Sequence, residues 1–441
     1  MDAGSLAATI RRAGDDLAGD VAARLAAAVR IDSANPAHGG AHGEGAVQAA
    51  IAGELERLGC RVETWEPDAT ALAERYPFMR PLLPAQGFTG RPNVVGWAPS
   101  VEAPDGRRAR LLLNSHADTV GPGDPAAWPH PPFSGAIRNG RLFGLGAADA
   151  KGCLFAFIGA LAVLREARLV PRRAVAVHSV VDEEAGGAGT LDCIRLGYTA
   201  DAAVVGEPTG LVVCPGSRGS TTFVMRITGR RAHPGEGWRG VNAIHVAWRY
   251  IEALEELRAE LDRTAMHPLW RPLPAGHVWN LLALNSGPPG RAVPDACEFE
   301  YNVGMIGGEQ SAEIRRLIDA AIARVTASDA WTVEHPPQVR WIDPPMEPAV
   351  TDPGHPAVTA FAAAGRTLGE AAVVQGFSAI TDARHIVNAG GVPAINFGPG
   401  EIYRCHSPEE MLPVDELRRA MTWIALFIAE YCGAERRAWG A

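Results

Sequence analysis

The sequence predicts an α/β fold: a domain with a mainly parallel central sheet, interrupted by an inserted ferredoxin-like unit. Three observations carry that prediction. Short continuous apolar runs (ARLLLN, AVAVHSVV and AAVV) alternate with helical patterns, as strands covered on both faces do. After Pro215 the order of patterns becomes β-α-β-β-α-β, that of a ferredoxin-like unit. Beyond residue 356 an α/β pattern resumes.

Each element has its own local reason. Val47, Ile51, Leu55 and Leu58 recur at i, i+4, i+8 and i+11, one face of a helix that Gly59 can cap. RVETW then alternates like a half-buried strand. Residues 153–164 are apolar throughout but too few to span a bilayer, so they read as a buried helix. In the second block TTFVMRIT reads as a strand, and VNAIHVAWRYIEALEEL as a helix with Ile244, Trp248, Ile251 and Leu254 on one face. VWNLLAL and ACEFEYNV follow as strands, a helix begins near Glu309, and QVRWI supplies the last strand. PPMEP and TDPGHP make a Pro-rich return, after which VVQGF, VPAINF and a helix from Val414 restore the α/β order. The boundaries that follow are a discontinuous domain, 1–214 with 344–441, and an insertion at 215–343.

Composition excludes several classes. The 441 residues exceed what one core usually organises, so two domains are expected. Hydrophobic residues make up 47% and the net charge is −9 without a Lys/Arg block, which argues against a nucleic-acid footprint or an anionic membrane surface. Seven scattered cysteines, odd in number and never spaced CxxC, suit free thiols in a reducing compartment. The first twenty residues carry acids where a signal peptide would be apolar, so the expected location is cytoplasmic.

The chemistry lies in five clusters just beyond apolar runs, where open α/β sheets place their sites. HADTV contributes His116 and Asp118, a pair in which the carboxylate can orient a metal-binding imidazole. Asp149 in GLGAADAKG reads equally as a helix cap or as a carboxylate able to bridge two cations. Glu183 and Glu184 in DEEAGG are adjacent carboxylates, a solvated acidic turn unless a cation offsets their repulsion. In the functional reading one binds metal and the other takes a proton from water. Glu207 in GEPT and His406 in GPGEIYRCHSPEE are, taken singly, an ordinary turn acid and a surface imidazole. Together the five oxygen and nitrogen ligands, with no thiolate among them, fit two divalent ions: Zn²⁺, with Co²⁺ or Mn²⁺ as substitutes. Trp128, Trp238 and Trp279 are candidates for an aromatic pocket wall, although tryptophans more often serve the core.

With these motifs in order, joined by GRRAHPGEGWRGVNAI and VPDAC, nearly the whole chain resembles the dinuclear metallopeptidase and deacylase family of acetylornithine deacetylase, succinyl-diaminopimelate desuccinylase, carboxypeptidase G and aminoacylases. The resemblance implies that Asp149 bridges two metals, with His116 and Glu207 completing one and Glu184 and His406 the other. It implies Glu183 as general base and then acid, Asp118 as the residue orienting His116, and His233 as an oxyanion donor. The implied architecture is a catalytic domain with an inserted lid through which a homodimer forms.

Two departures concern substrate binding. The lid reads Arg291-Ala292-Val293-Pro294-Asp295 where the family often has Asn-Val-Val-Pro-Asp, and Gly304 stands where the family commonly has an Arg for the substrate carboxylate. Arg291, Arg384 and Asn242 are therefore the candidate substrate-binding residues, or the substrate differs in that group. The expected reaction is hydrolysis of the amide in a small N-acylated amino acid or related metabolite. The rivals are a metallo-exopeptidase acting on peptides with the same machinery and a non-catalytic metabolite-binding protein. A serine hydrolase is disfavoured because no G-x-S-x-G elbow occurs.

Overall fold

The computed structural model describes residues 3–286 and 290–439 and divides into two compact units. The first runs to Gly216 and resumes at Val350; the second is Ser217–Ala349. In chain order the elements that matter here are α1 (Ala3–Val29), α2 (Gly45–Arg57), β1 (Arg61–Trp65), β2 (Asn93–Trp97), β3 (Arg108–His116), α3 (Lys151–Glu166), β4 (Val175–Val180), α4 (Ala188–Arg195) and β5 (Thr199–Val205). The second unit contributes β6 (Gly219–Thr228), α5 (Ala243–Thr264), β7 (Trp279–Asn285), β8 (Ala296–Met305), α6 (Ser311–Ala327) and β9 (Gln338–Met346). The chain then returns with α7 (Pro356–Thr367), α8 (Ala383–Asn388), β10 (Ala394–Asn396) and α9 (Val414–Tyr431).

In the first unit the sheet order is β1-β2-β4-β3-β5-β10. The four strands from β4 to β10 are parallel, and the antiparallel pair β1–β2 forms the other edge. Residue alternation sends Leu111 and Leu113 into one layer with α3 and α9, while Leu112 faces a second layer with Ile386 of α8. Both faces are thus covered, which is why these strands read as unbroken apolar runs. α3 is buried almost throughout, because α1 and α9 pack beside it. No helix among the described residues is long and apolar enough to cross a membrane.

The second unit is a four-stranded antiparallel sheet, order β7-β8-β6-β9. Phe223, Met225 and Ile227 of β6 and Phe299, Tyr301 and Val303 of β8 alternate onto one core with α5 and α6. Two details differ from the sequence expectation. Trp248 of α5 is 52% exposed rather than on the buried face, its indole N–H donating to Glu252 Oε1 one turn on (2.9 Å). VVQGF forms no strand beyond a single bridge at Val374. The edge strand β7 exposes Leu281, Leu282 and Leu284.

Candidate metal centre

Three of the clusters read from the sequence lie at or just beyond the C-terminal end of a parallel strand. His116 is the last residue of β3, Glu183 and Glu184 open the turn after β4, and Glu207 follows β5. Asp149 immediately precedes the N-terminus of α3, and its peptide bond to Ala150 is cis. His406 lies on the loop after β10 with φ 57°.

These side chains converge. Ligand atoms of His116, Asp149 and Glu184 lie within 4.8 Å of one another. His116 Nε2 is 3.1 Å from Asp149 Oδ1. His406 Nε2 is 3.3 Å from Asp149 Oδ2 and 3.1 Å from Glu184 Oε1. Asp149 therefore places one oxygen toward each imidazole. Hydrogen bonds to Asp149 and Glu184 raise His406 to about 11. Burial works against protonation of His116, but Asp118 and Asp149 outweigh it and push its pKa well up. Burial drives Glu207 and Glu183 well above the ordinary carboxylate range, and the charges of Glu183 and Asp149 raise Glu207 further. A compact set of hard oxygen and imidazole donors, rich in buried negative charge, fits divalent cations.

Asp118 lies behind the set. It is fully buried, and its Oδ2 accepts the Asn35 amide (2.8 Å). Its two oxygens also accept the main-chain N–H groups of Glu183 and Glu184 (3.2 Å each). His116 Nδ1 approaches the Asp118 main-chain oxygen at 3.0 Å, which leaves Nε2 directed at Asp149. Asn35 continues to Asp182 (3.3 Å), and Arg91 bonds Asp182 (3.0 Å) and both oxygens of the buried Glu44 (2.5 and 2.7 Å).

Glu183 faces a different neighbourhood from Glu184. Its Oε1 is 3.9 Å from Arg384 Nη1. The Arg384 guanidinium and the His385 ring both meet the Gly186 carbonyl (3.0 and 2.8 Å), closing the DEEAGG turn from behind. Gly187 adopts φ 80°, and a Cβ there would stand 2.2 Å from Asp382 Oδ1, so only glycine fits. Arg384 is thereby buried and engaged with this turn.

The remaining sequence candidates lie in the second unit. Asn242 is the N-cap of α5, its oxygen accepting N–H from Ile244 (2.9 Å) and His245 (3.4 Å). His233 Nδ1 accepts the Gly235 N–H (3.1 Å), so the neutral ring carries its proton on Nε2. Arg291 is exposed. A Cβ at Gly304 would meet the Val278 carbonyl at 2.5 Å, so the backbone excludes an arginine there. Of the tryptophans, Trp279 is core, Trp238 is 76% exposed, and Trp128 lines a 210 Å³ cavity with Asp124, Leu145 and His406.

Sequence reasoning missed Asn35, Glu44, Arg91, Asp182 and Glu410, which support the cluster. Glu410 was visible only as the second acid of SPEE; it is buried, and its Oε1 accepts N–H from Ala148 (3.0 Å) and Asp149 (3.2 Å).

The family model described as peptidase family M20/M25/M40 matches residues 112–430. An N-formyl-4-amino-5-aminomethyl-2-methylpyrimidine deformylase of Bacillus subtilis (strain 168) is 27% identical over 412 residues, 88% of this chain and 90% of the relative. Acetylornithine deacetylase of Edwardsiella ictaluri (strain 93-146) is 30% identical over 328 residues, 73% of this chain and 80% of the relative. Among solved structures, the YXEP protein of Bacillus subtilis, described as a dinuclear metal binding peptidase from the M20 family, superposes with a TM-score of 0.59 at 14% identity. That match covers 93% of this chain and 98% of the other, and it shows the shared fold.

Proposed function

The chain belongs to peptidase family M20/M25/M40 and is a metal-dependent amidohydrolase; from that premise we propose that it removes a small acyl group from the nitrogen of a metabolite. The observation that carries this reading is the convergence of His116, Asp149, Glu184 and His406 beside a separate carboxylate, Glu183, whose side chain is only 11% exposed. His116, Asp149, Glu184, Glu207 and His406 are the residues that would hold two divalent ions, Zn²⁺ first and Co²⁺ or Mn²⁺ as substitutes. When bound, the ions supply Lewis acidity toward a carbonyl oxygen and lower the pKa of a water.

The residues of the chain do the rest. Glu183 takes the proton from the attacking water and returns it to the leaving amine nitrogen. Burial and the facing Arg384 act on it in opposite senses, which suits a group that must both accept and release a proton. Asp118 keeps His116 Nε2 directed at Asp149. His233, with its proton on Nε2, is the donor for the oxyanion. The relatives named as a deformylase and a deacetylase both act on N-acyl groups, which supports the acyl-amide class.

Within that class the substrate is an N-formyl or N-acetyl amine whose recognition does not depend on an arginine at position 304, since the backbone leaves no room for one. Arg291 is the exposed cation left for a carboxylate-bearing substrate such as an N-acyl amino acid, because Arg384 is spent on the Glu183 turn and Asn242 on a helix cap. The metallo-exopeptidase alternative uses the same residues on a peptide bond. The first unit is the catalytic domain and the second a lid that pairs two subunits through β7, whose exposed Leu281, Leu282 and Leu284 on an edge strand support association. Seven free, buried cysteines support a cytoplasmic location.

Glu183→Gln tests the assignment. Bound divalent ion, counted by atomic absorption, should persist while kcat on formyl and acetyl amides falls by about 10²–10⁴-fold. Undiminished turnover would remove Glu183 from the role of base. Faster cleavage of dipeptides than of any acyl amide in the same panel would favour the exopeptidase.

A further inference from the structure

We infer that Glu410 is a positioning residue that sets Asp149 in its bridging orientation, an inference resting on the metal reading above. The segment from His406 to Glu410 grips Asp149 twice. His406 Nε2 meets Asp149 Oδ2 at 3.3 Å, while four residues later Glu410 Oε1 accepts the N–H of Asp149 at 3.2 Å and that of Ala148 at 3.0 Å. The two N–H bonds to one oxygen hold the successive peptides Ala147–Ala148 and Ala148–Asp149, and with them the direction in which the Asp149 side chain leaves the backbone.

The main chain does not need this carboxylate to bring the segments together. The Glu410 carbonyl accepts the Gly144 N–H (3.4 Å), and residues Met411–Pro413 pair with Arg141–Phe143 in an antiparallel ladder. The loop also holds its own shape, since the Glu410 N–H donates to the Ser407 carbonyl (3.1 Å). What the side chain adds is local to the last two peptides before the cis bond at Asp149. It adds this at the cost of burying another carboxylate beside an acidic cluster, its second oxygen Oε2 having no hydrogen-bond partner. A residue serving only to fill space there would be apolar. Glu410 therefore acts on the centre through Asp149 and touches no reacting atom itself.

The experiment compares wild type, Glu410→Gln, Glu410→Ala and Glu410→Asp as full-length chains stripped of metal. Co²⁺ binding is titrated by its visible absorption, and melting of each metal-free protein is recorded alongside. Loss of the acceptor in E410A should weaken Co²⁺ binding by about 10- to 100-fold, the usual effect of removing a group that orients a ligand. E410Q, whose amide oxygen can accept the same two N–H bonds, should stay close to wild type. E410D, a methylene too short, should follow E410A and serves if the alanine variant does not fold. Unchanged Co²⁺ affinity in E410A and E410D, or a loss in E410Q as large as in E410A, would overturn the inference. So would a fall in metal-free melting without a fall in affinity, the mark of a merely structural side chain. Failure of wild type itself to bind Co²⁺ would instead sink the metal reading beneath it.

Discussion

The buried imidazole of His178 should make this protein lose stability in mild acid by an amount that can be worked out in advance. His178 lies mid-strand in β4, paired with Val95 on one side and Asn114 on the other, and its ring packs edge-on to Tyr198 with centroids 5.3 Å apart. Burial lowers its pKa from 6.5 to about 3, with Glu63 opposing weakly. Between those values the unfolded chain carries a proton on this residue and the folded chain does not. Unfolding therefore takes up a proton, and stability falls as pH drops below 6.5. At pH 5 the unfolded state gains about 1.5 pKa units of protonation free energy, roughly 2 kcal/mol at about 1.4 kcal/mol per unit. Because pH 5 lies well above the folded value, this figure rests almost entirely on the unfolded one. His178→Phe and His178→Gln remove the titration, and whatever packing they alter is independent of pH. Urea unfolding of the metal-free proteins at pH 7 and pH 5, followed by circular dichroism, gives the comparison without the pH dependence of metal binding. Wild type should lose about 2 kcal/mol more than either variant between the two pH values. Parallel losses would refute the reasoning, showing that His178 is protonated in the fold or screened by water.

Two further outcomes follow from the same structure. Arg91→Met leaves Glu44 and Asp182 buried without their cation, and urea denaturation should show a loss of about 3–5 kcal/mol, partly recovered when Glu44→Gln is added; a loss below about 1 kcal/mol would mean that water reaches the pair. Leu282→Lys, on the exposed edge strand β7, should shift the size-exclusion mass from dimer to monomer at unchanged helix content, and a persistent dimer would place the contact elsewhere.

Much of the fold was legible because its signals are local. Unbroken apolar runs such as ARLLLN mark strands whose two faces are both covered, and alternating β6 and β8 mark a sheet covered on one face. The candidate ligands His116, Glu184 and Glu207 were legible for a related reason: a strand ends, the chain turns, and an acid or imidazole stands there. Trp248 misled because its spacing matches the buried face of α5 while its indole serves a surface bond to Glu252. VVQGF misled because apolar residues in a loop can be held by a single bridge without a ladder.

What stayed hidden is the support behind the ligands. Asn35, Glu44, Arg91 and Asp182 are spread over nearly 150 positions, and nothing in the sequence near any one of them announces the others. Their juxtaposition is a product of topology: strand order places the turn after β4 beside that after β3, and the loops from α1 to α2 and into β2 close over both. The electrostatic consequence is equally invisible from a list of residues. Glu44, Asp118, Asp149, Asp182, Glu183, Glu184, Glu207, Asp382 and Glu410 interact in one connected network, with Arg91, Lys151 and Arg384 as its longer basic side chains, burial lowering Lys151 to about 8. Nine carboxylates outnumber these side chains and the imidazoles of His116 and His406 together, and burial accordingly pushes Asp182 to about 7 and Glu410 to about 8. Divalent cations at Asp149 would relieve that imbalance at its centre, while Arg91 relieves it at the rim. The acids that read singly as solvated turns are therefore best explained as one charge-balanced assembly, in which the ligands and their distant supports depend on the same cations.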